Sequence, residues 1–363
     1  MGINVVSLFS GGGGLDLGFV TEGYDIIWAI DNDKNAVATY QANIGNHVIC
    51  ADINHIDIGK IPPADVVIGG PPCQSFSLAG NRNVEDERGQ LVWQYIHIIA
   101  QLQPKAFVFE NVIGLLSAKN AQGEKIIDLL KIAFKKIGYT IERQVMNAAD
   151  YGIPQRRKRV IIVGLKNTKF EFPKPTHSED GKHLKRYVSV EEALGDLPEA
   201  IPDENGLVNY CMPAQNEYQK YVRRNVAITE HFIPQMSELD KYIVNHVKPG
   251  GNYMDIPAEV NSSRIRRLQR EGGHTTCYGR LSPDKPSYTI NTYFNRPNVG
   301  CNIHYKANRL ITVREALRLQ SFPDDYKIVS NSKHGRNLIV GNAVPPMLAG
   351  IIARELKKYL GEK

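Results

Sequence analysis

Ile3-Asn4-Val5-Val6-Ser7-Leu8-Phe9-Ser10-Gly11-Gly12-Gly13-Gly14-Leu15-Asp16-Leu17-Gly18-Phe19 is an apolar run, a loop of glycines and a segment that reads as the first turns of a helix. Strand, glycine loop and helix in that order is how a doubly wound sheet brings backbone against a nucleotide-like ligand. Alone, a glycine-rich turn reads equally well as a flexible loop. The following segments decide between the two. Tyr24 to Ile30 is a second strand ending in Asp31-Asn32-Asp33, about 20 residues beyond the glycines, where a carboxylate can bond ribose hydroxyls. The other reading of Asp31 is a helix cap, and Asp33 suits that cap better. Val48 to Cys50 is a third strand leading to Asp52, placed to reach an adenine amino group.

Asp65 to Ile68 reads as a fourth, buried strand, followed by Gly69-Gly70-Pro71-Pro72-Cys73-Gln74-Ser75-Phe76-Ser77. Glycines permit tight turns and close ligand approach, and prolines fix φ. A strand ending this way presents a thiol rather than burying one. The polar stretch Ala79 to Gly89, with Arg82 and Arg88, reads as an active-site loop beside it. Gln90 to Gln103 carries helical periodicity, with Tyr95 and Trp93 as packing residues. Ala106 to Phe109 is a fifth strand ending in Glu110-Asn111-Val112, at the sheet edge where such folds keep ligands. Residues 124 to 137 read as an amphipathic helix. Arg156-Arg157-Lys158-Arg159 leads into the strand Val160 to Leu165. Alternate strand residues share a face, so Arg157 and Arg159 are expected to point together, towards phosphate or a base carbonyl.

Beyond Phe170 prolines multiply and βα alternation is lost. The expected division is residues 1–198 as a first domain, 199–325 as a second, smaller one, and 326–363 returning to the first. Within the second lie the basic patch Arg264 to Arg270 and the stretch Leu281 to Asn298, whose Tyr288, Tyr293 and Phe294 read as exposed or as core. Thr312 to Glu315 has capping-box spacing, with Pro323 beyond. Val340-Gly341-Asn342-Ala343-Val344-Pro345-Pro346 precedes a last helix.

Composition is that of a globular enzyme, 42% hydrophobic and 23% charged. No run of 18 apolar residues argues for a membrane span, and no leader is expected. Five scattered cysteines without CxxC spacing point to a reducing compartment and to no metal. A net charge of +6 is compatible with a nucleic-acid partner.

In this order, the glycine loop, Pro-Pro-Cys, Glu-Asn-Val, Gln155 to Arg159, Arg314 to Phe322 and Gly-Asn-Ala-Val resemble the cytosine-5 DNA methyltransferases over nearly the whole chain. The resemblance implies a Rossmann-like α/β fold with a mainly parallel doubly wound sheet and a smaller recognition domain. It implies S-adenosylmethionine as cofactor, held by Phe9, Ser10, Gly11, Gly13, Gly14, Leu15, Asp31, Asn32, Asp52, Ile53, Pro71, Asn342 and Val344. Asp31 departs from many relatives, which carry Glu there. Cys73 would be the nucleophile and Glu110 the acid, with Arg159 on the base carbonyl and Arg157 on phosphate or base. DNA contacts are expected from Gln74, Ser75, Ser77, Arg82, Arg266, Arg267, Arg280, Thr289, Asn291 and Tyr293. Double-stranded DNA is the implied partner of a cytoplasmic, monomeric, nucleoid-associated bacterial enzyme, and a restriction endonuclease is its genetic partner. A tRNA methyltransferase, a non-catalytic relative and a nicotinamide oxidoreductase are the competing readings. The long insert and the retained Cys73, Glu110, Arg157 and Arg159 argue against them.

Overall fold

The computed structural model describes residues 2–72, 87–120, 122–224 and 227–361, residues 87–90 by their backbone. Cys73, Gln74, Ser75, Ser77 and Arg82 lie outside the described residues. The chain divides into two compact units, one of residues 1–147, 158–174 and 346–363, the other of 148–157 and 175–345. The boundaries therefore differ from the expected 198 and 325. Two pieces of chain, 148–157 and the last helix, pair with segments far away in sequence, and hydropathy does not record such pairings.

The first unit is built on a seven-stranded sheet. Its strands are β1 (Ile3–Leu8), β2 (Tyr24–Asp31), β3 (Val48–Cys50), β4 (Val66–Gly69), β5 (Ala106–Asn111), β6 (Thr140–Asn147) and, after the two-residue β7 (Gln155–Arg156) of the other unit, β8 (Lys158–Leu165). The order is β3-β2-β1-β4-β5-β8-β6. The five strands β3 to β5 run parallel, and β8 is antiparallel to both β5 and β6. Central strands covered on both faces need apolar residues at successive positions. Accordingly Val5, Val6, Val66, Val67, Ile68, Phe107 and Val108 are fully buried.

Helices α1 (Gly14–Thr21), α2 (Lys34–Asn43), α3 (Glu87–Leu102) and α4 (Ile126–Lys136) connect the strands. Tyr95 of α3 is buried and its hydroxyl donates to the Val108 carbonyl, whereas Trp93 is 42% exposed. The C-terminal helix Pro346–Leu360 packs on α1. A Cβ added at Gly18 would fall 2.4 Å from the Pro346 carbonyl oxygen and from Ala349 Cβ, so only glycine permits this approach. The chain turns from the β1-to-β3 half to the β4-to-β5 half between β1 and β4, which pair as neighbours with Leu8 opposite Gly69. This is the topological switch point, where open α/β sheets bind ligands.

The second unit has little regular structure. One of its apolar clusters joins Ile243, Val244, Tyr253, Ile256, Ile265 and Ile303. The helix Val313–Leu319 begins with the expected capping box, in which the Thr312 hydroxyl accepts from Glu315 N–H and the Glu315 carboxylate from Thr312 N–H. This helix buries three charged residues, Arg314, Glu315 and Arg318, each paired with opposite charge.

Candidate active site

Three backbone segments meet at the carboxyl ends of β1, β4 and β5. After β1, Phe9 adopts a left-handed φ of 56°, an uncommon conformation for a bulky residue. Gly11 and Gly13 follow at φ 55° and 85°. Ser10 N–H donates to the Ile30 carbonyl at 3.0 Å, and Gly11 N–H to Asp31 Oδ2 at 2.8 Å. Asp31 also accepts Asp33 N–H at 2.9 Å, and burial raises its pKa. Asp33 is the helix cap, accepting from Asn35 and Ala36 N–H. Asp31 thus ties the end of β2 to the glycine loop and leaves the cap to its neighbour. A Cβ at Gly11 would meet nothing within 4 Å, while one at Gly13 would collide with Ile44 and Tyr40. The loop therefore has one open face and one face packed against α2. An open glycine face beside a half-buried carboxylate fits a ribose-bearing ligand.

The other expected cofactor residues divide by environment. Asp52 is exposed and caps the short turn Ile53–His55 through Asn54 N–H. The side chains of Leu15 and Ile53 are buried and apolar, so only their backbones are open to polar contact. Asn32 and Asn342 are exposed, and Val344 is buried.

After β4 the chain continues as Gly70-Pro71-Pro72. A Cβ at Gly69 would fall 2.4 Å from the Leu8 carbonyl oxygen, and one at Gly70 would fall 2.8 Å from Glu110 Oε2. Glycine at both positions lets β1 and the Glu110 carboxylate close on this turn. Glu110 is the penultimate residue of β5 rather than the first beyond it, and it is 8% exposed. Arg159 on β8 reaches it, with Nε 2.9 Å from Oε1. A pair this buried holds both groups in a fixed orientation. Asn111, the middle residue of the Glu-Asn-Val motif, donates its amide to the Pro71 carbonyl at 2.9 Å and accepts Val112 N–H. It fastens the Pro-Pro turn to the strand carrying the acid.

Arg157 corrects an expectation. It is fully buried, and its guanidinium donates to the carbonyls of Ile290, Gly341 and Ala343 at 2.9, 2.7 and 2.7 Å. The regular alternation invoked for Arg157 and Arg159 fails because β8 begins only at Lys158 and β7 ends at Arg156. Arg157 sits in the break and is a structural tie. It joins three stretches that the sequence singled out separately, and a Cβ at Gly341 would fall 2.4 Å from Thr292 N in the same packing.

Arg280 is a second correction. It is 3% exposed, with Nε donating to the Val247 carbonyl at 2.6 Å, Nη1 to the His304 and Ala307 carbonyls, and Nη2 to the Val244 carbonyl and Asn308 Oδ1. Its donors are committed inside its own unit rather than available to DNA. Thr289 and Asn291 also serve their own unit. The Thr289 hydroxyl donates to the Arg156 carbonyl, and Asn291 takes Tyr293 N–H while donating to the Val299 carbonyl. Tyr293 is 43% exposed with Arg296 over its ring. Arg266 and Arg267 stand exposed on the helix Ser263–Glu271, and Arg266 also bonds the Val260 carbonyl.

A carboxylate oriented by a guanidinium, beside a glycine loop at the switch point of a doubly wound sheet, defines an α/β enzyme site of the Rossmann-like type. The chain belongs to the C-5 cytosine-specific DNA methylase family, whose model matches residues 3–358. It is 34% identical over 376 residues to the Type II methyltransferase M.DdeI of Desulfomicrobium norvegicum, covering 98% of this chain and 89% of that one. It is also 34% identical to M.FnuDI of Fusobacterium nucleatum, covering 99% and 96%. A solved structure described as a DNA modification methyltransferase encoded within a prophage (E. coli) superposes with a TM-score of 0.74 at 26% identity, covering 99% of this chain and 100% of that one. The S. pombe Dnmt2 methyltransferase shares the fold, with a TM-score of 0.62 at 18% identity over 98% and 99% of the two chains. The enzyme is a DNA (cytosine-5-)-methyltransferase and uses S-adenosylmethionine. Among the described residues no helix is long and apolar enough to cross a membrane.

Proposed function

We propose that this enzyme methylates one cytosine within a specific duplex sequence through a covalent adduct of Cys73, and that the mark protects DNA from a cognate restriction endonuclease. The observation that carries the reading is the Glu110 carboxylate, held 2.9 Å from Arg159 Nε and packed against Gly70 of the turn that leads to Cys73.

Carbon 5 of cytosine is a poor nucleophile. Thiolate addition from Cys73 to carbon 6 makes carbon 5 electron-rich. Glu110, carrying a proton to ring nitrogen 3, neutralises the charge that develops on the ring. Arg159 orients Glu110 and presents its remaining donors to the base carbonyl. Asn111 keeps the Pro71 carbonyl, and with it the turn before the nucleophile, in register with Glu110. Phe9, Ser10, Gly11, Asp31 and Asp52 would hold S-adenosylmethionine, which supplies an electrophilic methyl group when bound. After methylation the carbon 5 proton leaves and Cys73 is eliminated. A base stacked in duplex must be flipped out to be reached. Arg266 and Arg267 meet phosphates, and Tyr293 is the exposed group left to face bases.

Bisulfite sequencing of plasmid from expressing cells tests the reading by revealing methylated cytosines in one sequence context. Duplex carrying 5-fluorocytosine at that site should trap a covalent complex, absent in Cys73→Ala. Methylation of tRNA in place of duplex DNA, or full activity in Cys73→Ala, overturns it. Resistance of the methylated plasmid to a nuclease cutting the mapped site tests the protective role.

A further inference from the structure

Beneath the glycine loop lies a line of polar groups that the reaction does not use. Asp16 on α1 and Tyr40 on α2 are both fully buried. The Tyr40 hydroxyl is 2.9 Å from Asp16 Oδ1 and 3.1 Å from Nε2 of the partly exposed His47. The Tyr40 ring is also the floor of the loop, because a Cβ at Gly13 would lie 3.0 Å from Tyr40 Cδ2. Gly13 in turn donates to the Ser10 carbonyl and accepts Leu17 N–H at the start of α1. Moving the ring would therefore move Gly13, and with it the segment that links Ser10 to the helix.

We propose that Tyr40, pinned between Asp16 and His47, is the positioning residue that holds the glycine loop in the shape that takes S-adenosylmethionine. The inference rests on the cofactor reading of that loop. The phenol has one hydrogen to give. With Asp16 ionised, Tyr40 donates to the carboxylate and accepts from His47 Nε2–H. With Asp16 protonated the line reverses, Asp16 donating to Tyr40 and Tyr40 to His47. Either order fixes the ring. Ser7 on β1 and Asp31 at the end of β2 face Asp16, and Asp25 on β2 faces His47.

The test measures S-adenosylhomocysteine affinity by calorimetry on the full chain, with melting of the ligand-free protein followed in parallel. Tyr40→Phe keeps the ring and removes the pin. It should weaken affinity about tenfold, the effect of one lost hydrogen bond. It should raise KM for S-adenosylmethionine by a similar factor and leave kcat at saturation within twofold. Asp16→Asn retains an acceptor for the hydroxyl and should keep affinity within twofold. If the unsubstituted enzyme binds and Tyr40→Phe binds equally well, Tyr40 is not a positioning residue, whatever its melting temperature. A fall in kcat at unchanged KM also overturns the inference. Failure of the unsubstituted enzyme to bind S-adenosylhomocysteine refutes the cofactor reading itself, and the inference with it.

Discussion

Replacing Asp16 with Asn should stabilise this enzyme at alkaline pH and much less in acid. Burial pushes the Asp16 carboxyl up from 3.8 to about 6, against the bonds that favour its charged form. The sign follows from linkage. The folded state holds this proton more tightly than the unfolded chain, so the stabilisation is complete below 3.8 and is lost as pH rises through 6. A tenfold difference in proton affinity between the two states is worth about 1.36 kcal/mol. Compared with a neutral side chain in its place, Asp16 therefore costs roughly 2 kcal/mol at pH 5 and roughly 3 kcal/mol at pH 8. Asn has the same shape and no charge. Its carbonyl oxygen can accept from Tyr40, and its amide can reach Ser7. Urea unfolding of both proteins from pH 5 to 8 should show the advantage of Asp16→Asn widening by roughly 1 kcal/mol. A difference that stays flat across that range, or one that favours Asp at pH 8, would refute the claim that a buried, destabilised carboxylate sits under the loop.

Arg157→Ala should lower the melting temperature sharply, because it takes this donor from three carbonyls, two of them in buried bonds whose loss costs roughly 1–3 kcal/mol each; a changed salt dependence of DNA binding at unchanged stability would restore a phosphate role. Arg280→Gln should act likewise, loosening its unit without altering which sequences are methylated, as a random-library methylation assay would report. Arg267→Ala should weaken all DNA sequences about equally and reduce the slope of log affinity against log salt by about one; unequal loss across sequences would mean that it reads bases. Gly70→Ala would place a Cβ 2.8 Å from Glu110 Oε2, so kcat should fall at least tenfold with S-adenosylhomocysteine affinity kept, and an unchanged kcat would show that the Glu110 position is not critical.

Much of the first unit is legible in the chain, since apolar runs between glycine turns are the direct signature of buried parallel strands. The strands leading to Asp31 and Glu110 start where expected and run one and two residues beyond their expected ends, Ile30 and Phe109. The arginines are less legible. Arg157, Arg159, Arg266 and Arg280 are the same letter, and whether each guanidinium faces carbonyls, a carboxylate or solvent depends on partners up to 186 residues away. Arg157 defeats the pattern because a strand break at one residue cancels the alternation that would orient it. Asp16 and Tyr40 carry no mark in the sequence because burial of a polar side chain has no periodic signature; Asp16 reads there as an ordinary acid in a first helical turn.

The packing of α1 against the helix Pro346–Leu360 has a consequence for biosynthesis. Helix α1 rests on a helix made far later, with Gly18 against Ala349 and the Tyr24 hydroxyl on the Ala353 carbonyl. Contacts between such distant parts of a chain form late. A ribosome delivering this protein therefore exposes the glycine-loop helix long before its cover exists, and the cofactor half matures only once residues 346–360 have been made. Nascent chains would depend on chaperones through that interval. A frameshift near residue 345 would disable the site at residue 11 as surely as one near the start.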